Sequence, residues 1–168
     1  DEKKIYYNDT RKRKNKRDDR QLCKELSKLI NKSDVVVTWN GDKFDFKKIR
    51  SRIFYYSEYQ TKKPISEDLY KLARREFGEV SNKLDFWAKK FGCGSKLKNR
   101  KFHGKELTRQ CLLGNPKAWT ELEKYNKMDI FITEKLYLKL RAYSPKLNAN
   151  LFSHSMINVC DCGSSNFK

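Results

Sequence analysis

Two aspartates, far apart in the chain, have the residue type and setting for divalent-cation chemistry. Asp45 closes the segment 35–45 (VVVTWNGDKFD), and Asp129 closes 125–129 (YNKMD). The first segment is a β-branched apolar run that stops at Asn40-Gly41, a turn signal, and opens into a helical pattern. It predicts a buried strand feeding a helix, with Asp45 in the first helical turn beside the carboxyl end of the strand, where open α/β sheets gather ligands. Asn115-Pro116 pairs an N-cap residue with proline at the first helical position and predicts the start of a second helix. From there Leu122, Tyr125, Asp129, Ile132, Leu136 and Leu140 recur at steps of three and four, a core-facing stripe that contains a carboxylate. An unpaired carboxylate there costs on the order of several kcal/mol, so a proton, a cationic side chain or a metal must neutralise it. Carboxylate oxygens on two elements are what Mg²⁺ or Mn²⁺ prefers. Simpler roles stand beside this one: Asp42 and Asp45 as a capping box, and Asp129 paired with Lys or Arg.

Asn40, Phe44 and Asp45 in the form N-G-x-x-F-D, followed by Y-x-x-x-D at Tyr125 and Asp129, resemble the second and third motifs of the DEDD 3'-5' exonucleases, tyrosine branch. Residues 81–92 (SNKLDFWAKKFG) are similar to the helix before the third motif in members from phages and other mobile elements. The resemblance runs from about Asp18 to Arg141. It implies an α/β, helix-rich, ribonuclease H-like exonuclease domain over 1–143. It also implies two Mg²⁺ or Mn²⁺ ions that clamp the scissile phosphate, Asp45 and Asp129 as catalytic metal ligands, and Tyr125 orienting the attacking water. A core tyrosine is the plainer role for Tyr125. Asn40, Lys96 and Lys98 are expected to contact substrate, the lysines from the loop after Gly92, which otherwise is a basic interhelical loop. Asp68 resembles an acidic position between the motifs that supports the site without binding metal.

The family also takes two carboxylates from a D-x-E on its first strand, both on one face. Asp1 and Glu2 are adjacent and would point to opposite faces. Asp9, Asp18 and Asp19 flank a basic run. The fold is therefore expected to be N-terminally incomplete, with Lys4–Tyr7 its first strand here. The readings are a fragment of an enzyme, a chain whose partner polypeptide supplies the missing strands, or a nuclease-like domain without catalysis. The first two are favoured, and this chain alone is predicted inactive or nearly so.

Lys and Arg number 39 against 21 Asp and Glu, a net charge of +18 that points to DNA or RNA as partner. A 38% hydrophobic content, 13% of all residues being aromatic, excludes a globally disordered chain. No apolar stretch of spanning length and no signal peptide is present, so no membrane partner is expected and an intracellular setting, cytoplasmic or nucleoid-associated, is. The alternative function is a noncatalytic, basic nucleic-acid-binding domain on the same scaffold.

The elements that must position these residues follow in order. Arg11–Arg17 is a charge run expected to be a solvated loop, and the helix after Asp18-Asp19 shows Leu22, Leu26, Leu29 and Ile30 as its core face. The Asp45 helix is expected to bury Ile49 and Ile53 and to carry Lys47, Lys48, Arg50 and Arg52 outward. Segment 54–59 (FYYSEY) interleaves aromatics with Lys62 and Lys63, as a base-stacking surface would, or as tyrosines half-buried under a loop. Pro64 is read as starting a further helix. His103 is read as incidental. Residues 144–168 form a tail whose Cys160-Asp-Cys162-Gly resembles the first knuckle of a zinc ribbon. The spacing is one residue short and His154 adds a third ligand at most, so Zn²⁺ is not expected there. With Cys23, Cys93 and Cys111 these make five cysteines in no framework spacing, read as reduced thiols.

Overall fold

The computed structural model describes residues 4–56, 61–95 and 101–146. Helix α1 (Arg20–Lys32) leads into strand β1 (Val35–Thr38), helix α2 (Asp45–Tyr56), strand β2 (Ile65–Asp68) and helix α3 (Leu69–Glu76). Helices α4 (Leu84–Lys90), α5 (Lys105–Leu112) and α6 (Pro116–Leu140) follow, and a 3₁₀ turn (Arg141–Tyr143) ends the series. The two strands pair in parallel, from Val35 opposite Ile65 to Thr38 opposite Asp68. A parallel pair needs a crossover, and α2 supplies it. The result is a helix-rich α/β fold around a two-stranded sheet.

Helix α6 is the spine. Asn115 caps it by accepting from the Lys117 N–H at 3.0 Å, and Pro116 occupies the first turn, where its missing N–H costs nothing. Its second half buries Ile132, Leu136 and Leu140 against Leu69, Leu72 and Ala73 of α3 and Leu84, Trp87 and Ala88 of α4. Trp87 is fully buried, stacked on Phe91 at 5.2 Å and set edge-on to Phe77 at 5.5 Å. Its indole N–H donates to the Ser81 carbonyl at 3.0 Å, which removes the penalty of an orphaned donor. The first half of α6 packs Ala118 and Trp119 on Leu107 and Cys111 of α5. Asp129, half-buried, lies on α6 between Met128 and Ile132 of the larger cluster.

Several expectations give way. Lys4–Tyr7 is not a strand: it pairs with neither β1 nor β2, and Ile5 and Tyr6 are left exposed. The basic run is not a free loop, because Arg11 bonds Asp9 at 2.6 Å and Glu123 of α6 at 2.7 Å, and Thr10, buried, donates to the Lys16 carbonyl. On α1 the buried residues are Cys23, Ser27 and Ile30, whereas Leu22, Leu26 and Leu29 are half-exposed and line a groove of about 500 Å³ with Tyr6 and Tyr7. Pro64 starts no helix; it precedes β2, whose exposed-to-buried gradient from Ile65 to Asp68 reads poorly as a strand in sequence. On α2, Phe46 rather than Ile49 joins Ile53 in the interior. Cys160, Cys162, His154, Tyr59 and the Asp1-Glu2 pair lie outside the described residues. No helix among the described residues is long and apolar enough to cross a membrane.

Arg52 turns inward instead of outward. Its guanidinium forks onto Asp19 at 2.6 and 2.7 Å, and the Tyr56 hydroxyl also donates to Asp19, which ties α1 to α2. The hydrogen bonds from Arg52 outweigh desolvation and hold the Asp19 carboxyl below its ordinary value. A depressed folded-state pKa stabilises above the unfolded value and loses that stabilisation as pH falls through the folded one. Asp19→Asn is therefore expected to lower the urea midpoint at neutral pH. The gap from the unsubstituted protein closes as pH drops below the ordinary carboxylate range, and a gap that persisted unchanged at pH 2–3 would refute the linkage.

Candidate active site

The carboxyl ends of β1 and β2 meet in a tight construction. After β1 the chain turns at Asn40, whose φ of +63° is in the left-handed region that Asn tolerates better than most residues. Gly41 follows because nothing larger fits: a Cβ there would lie 2.6 Å from the Thr38 side chain. Asp68, 2% exposed at the end of β2, accepts the N–H of Asn40 at 2.7 Å, of Asp42 at 3.1 Å and of Tyr70 at 3.1 Å. One carboxylate thus fixes the turn after the neighbouring strand and caps α3. Asp42 does not cap α2. Its carboxylate takes Ser66 Oγ at 2.5 Å and Lys71 Nζ at 2.6 Å, so the capping-box role is set aside. Desolvation acts to raise the Asp42 carboxyl, and these partners outweigh it and hold it low.

The turn delivers Asp45 to the first residue of α2, with Phe46 N donating to the Gly41 carbonyl at 2.8 Å. Asp45 lines a cleft of about 1310 Å³ whose other wall is α6, represented by Asn126, Asp129, Ile130, Thr133, Glu134 and Tyr137. Asn40 also lines it, as do Thr38 and Trp39 from β1 and its end, and Asn82 from the segment before α4. Asp45 and Asp129, 84 positions apart in sequence, thus line one cleft from different elements. Desolvation, and then repulsion from the Asp68 carboxylate, push the Asp45 carboxyl above its ordinary value. A cation in the cleft would relieve both effects.

Three buried oxygens in this cleft have no hydrogen-bond partner: Asp129 Oδ1, Thr38 Oγ1 and Asn82 Oδ1. Buried polar atoms without partners are uncommon, and three on residues that line one cleft make it a candidate ligand site. The Lys or Arg partner considered for Asp129 is not there; no cation pairs with it among the described residues. The donors are oxygens, the set that hard divalent cations take and that softer metals take less readily. Asp45, Asp129 and these neutral oxygens thus suit Mg²⁺ or Mn²⁺. Among the described residues, however, no group of three or more His, Cys, Asp or Glu is gathered as a metal cage. Of the four carboxylates that a two-ion site would use, the motifs account for Asp45 and Asp129, and Glu134 of α6 is a further acid on the cleft lining.

Tyr125 lies one helical turn before Asp129, half-buried, and is not part of the cleft lining. Lys96 and Lys98 lie outside the described residues. Sequence reasoning missed Thr38 and Asn82. Thr38 carries a usable signal, a polar residue ending an apolar strand, but Asn82 has none, since its place depends on how the loop before α4 packs. Asp68 was read as a supporting residue; its three backbone hydrogen bonds give that support a physical form.

A family model named RNase_H_2, described as RNase_H superfamily, matches residues 1–141. No curated protein matches the chain.

Hydrogen bonds to a buried charged acceptor contribute about 1.5–3 kcal/mol each and are not additive, and loss of an N-cap costs about 1 kcal/mol. Asp68→Ala is accordingly expected to destabilise the protein by about 3 kcal/mol or more in urea unfolding. A loss below about 1 kcal/mol would mean that the turn holds itself.

Proposed function

Because the chain belongs to the ribonuclease H superfamily, we propose that it is a metal-dependent 3'-5' exonuclease, or a subunit of one, of the DEDD type and tyrosine branch. One observation carries the reading: Asp45 and Asp129, on separate elements, open onto a single cleft in which Asp129 Oδ1 is buried and unpartnered. The family match supports a nuclease-like function acting on nucleic acid, and the motifs at 40–45 and 125–129 support the finer class.

Asp45 and Asp129 hold Mg²⁺ or Mn²⁺, and a divalent ion there supplies Lewis-acid polarisation of a phosphate and an acidified water. The protein's own contributions are positional. Asp68 and Gly41 lock the turn that presents Asp45, and the rigid α6 presents Asp129. Tyr125, on the same helix face, orients the attacking water once substrate fills the cleft. Asn40 contacts the substrate from the turn, and Lys96 and Lys98 grip its backbone.

The remaining carboxylates come from a further strand that bears two acidic residues on one face. The bed for it has physical support. β1 has a ladder partner on one edge only among the described residues, and Leu22, Leu26 and Leu29 of α1 present an apolar groove with little to cover it. Unpaired edges and bared leucines of this kind invite β-augmentation. The second reading is a noncatalytic nucleic-acid-binding domain. The specific point in its favour is that, although Glu134 also lines the cleft, no three acidic residues among the described residues are gathered closely enough to hold a metal ion.

The deciding assay follows a 5'-labelled single strand with the full protein in Mn²⁺. The expected outcome is stepwise shortening from the 3' end, reduced roughly 100-fold or more by Asp45→Asn or Asp129→Asn. Tyr125→Phe should slow it about tenfold, the scale of one lost hydrogen bond. If Asp129→Asn cleaves at the unsubstituted rate, the assignment of the cleft is wrong. Binding without any shortening would leave the second reading.

A further inference from the structure

The solvent face of α2 does no work in the cleft, yet its composition is unlike that of the other helices. Phe54 is 87% exposed, Tyr55 73% and Phe44, just before the helix, 60%. Lys47, Lys48 and Arg50 are exposed with them. Spacings of three and four put Phe44, Lys47, Lys48, Phe54 and Tyr55 along one side of the helix. A lone exposed aromatic is ordinary, but three along one face with cations between them is a pattern.

The charges are also unanswered. On α4, α5 and α6 some surface cations have acids one turn away: Lys89 with Asp85, Arg109 with Glu106, Lys127 with Glu123. On α2, Asp45 is the single acidic residue between Lys43 and Tyr56, and it faces the cleft. Among the described residues, Lys47, Lys48 and Arg50 have no carboxylate partner.

Tyr55 is held ready rather than loose. Its ring sits edge-on to Tyr56 at 5.3 Å, with the Arg52 guanidinium 5.1 Å from its centre, and Arg52 is anchored on Asp19. That leaves its outer face open in a fixed orientation. Phe44 lines the cleft mouth beside Asp45. Nine residues of helix, about 14 Å, separate Asp45 from Phe54.

We propose that this face is a docking track for single-stranded nucleic acid leading to the cleft. Bases stack on Phe54 and Tyr55, Lys47, Lys48 and Arg50 neutralise the phosphates between, and Phe44 meets the nucleotide that enters beside Asp45. Unpaired bases are the occupant that matches the chemistry: they offer flat faces to aromatics and a phosphate charge to cations, whereas duplex DNA offers the charge alone. The proposal rests on the nucleic-acid part of the function above and not on cleavage.

The test is fluorescence anisotropy of a labelled oligothymidine and of a duplex of equal length, with the full protein in EDTA, so that cleavage plays no part. Phe54→Ala with Tyr55→Ala is expected to weaken single-strand binding roughly tenfold or more and to leave duplex binding nearly unchanged. Phe54→Trp with Tyr55→Phe, which keeps both ring faces, retains the unsubstituted affinity. Lys47→Ala with Arg50→Ala lowers the slope of log affinity against log salt by about 1.4, or about 0.7 per phosphate contact. Unchanged single-strand affinity in the double alanine variant overturns the proposal, as does an equal loss for both probes. A protein that never cleaves but shows these effects contradicts the exonuclease reading alone; one that cleaves and binds through other residues overturns the track alone.

Discussion

The Asp68 carboxylate, accepting three backbone N–H groups at the ends of two parallel strands, is the constraint on which the rest hangs. A buried charge is costly unless it is fully bonded, and here the bonding partners are the turn that begins at Asn40 and the first turn of α3. The cost of burial is thus converted into a requirement: if Asn40 and Asp42 leave their positions, a carboxylate is stranded. Gly41 closes the remaining freedom, since the space that another residue's Cβ would fill is taken by Thr38. Asp45 inherits its place at the head of α2 from this arrangement. The same Asp68 charge also presses on the Asp45 carboxyl, so the group that builds the site raises its appetite for a cation.

The opposite wall owes its position to a different force. Ile132, Leu136 and Leu140 are essentially fully buried, and burial of each large aliphatic side chain contributes roughly 1.5–3 kcal/mol. They clamp the second half of α6 on α3 and α4, while Trp119 and Ala118 clamp the first half on α5. Asp129 sits one turn before Ile132 on this clamped helix. The carboxylate is carried to the cleft wall by neighbours that have strong reasons to be there.

Much of this was legible in the residues. The periodicity from Leu122 to Leu140, the Asn115-Pro116 cap and the β-branched run before Asn40-Gly41 are local signals, and each became a helix or strand as implied, although β1 is half-buried along its length where a buried strand was expected. The failures share a cause, because each depended on what lay across space. Lys4–Tyr7 has strand-like residues without a ladder. Ile65–Asp68 has a poor strand pattern but a partner in β1, and pairing decided both. The leucines of α1 look like a core face, yet no described element covers them. Arg52 reads as one more surface cation until Asp19 and Tyr56 appear beside it. Asn82 gave no signal, since an amide in a loop becomes a site residue only by where α4 puts it.

The central claim is that Asp45 and Asp129 share one cation, and Mn²⁺ titration of the full protein followed by electron paramagnetic resonance reads it directly. Saturable binding is expected, weakened at least tenfold by either single Asn substitution. The double substitution should cost clearly less than the sum of the two single losses, because both ligands act on one ion. Equal Mn²⁺ affinity in the unsubstituted protein and in both single variants would contradict it.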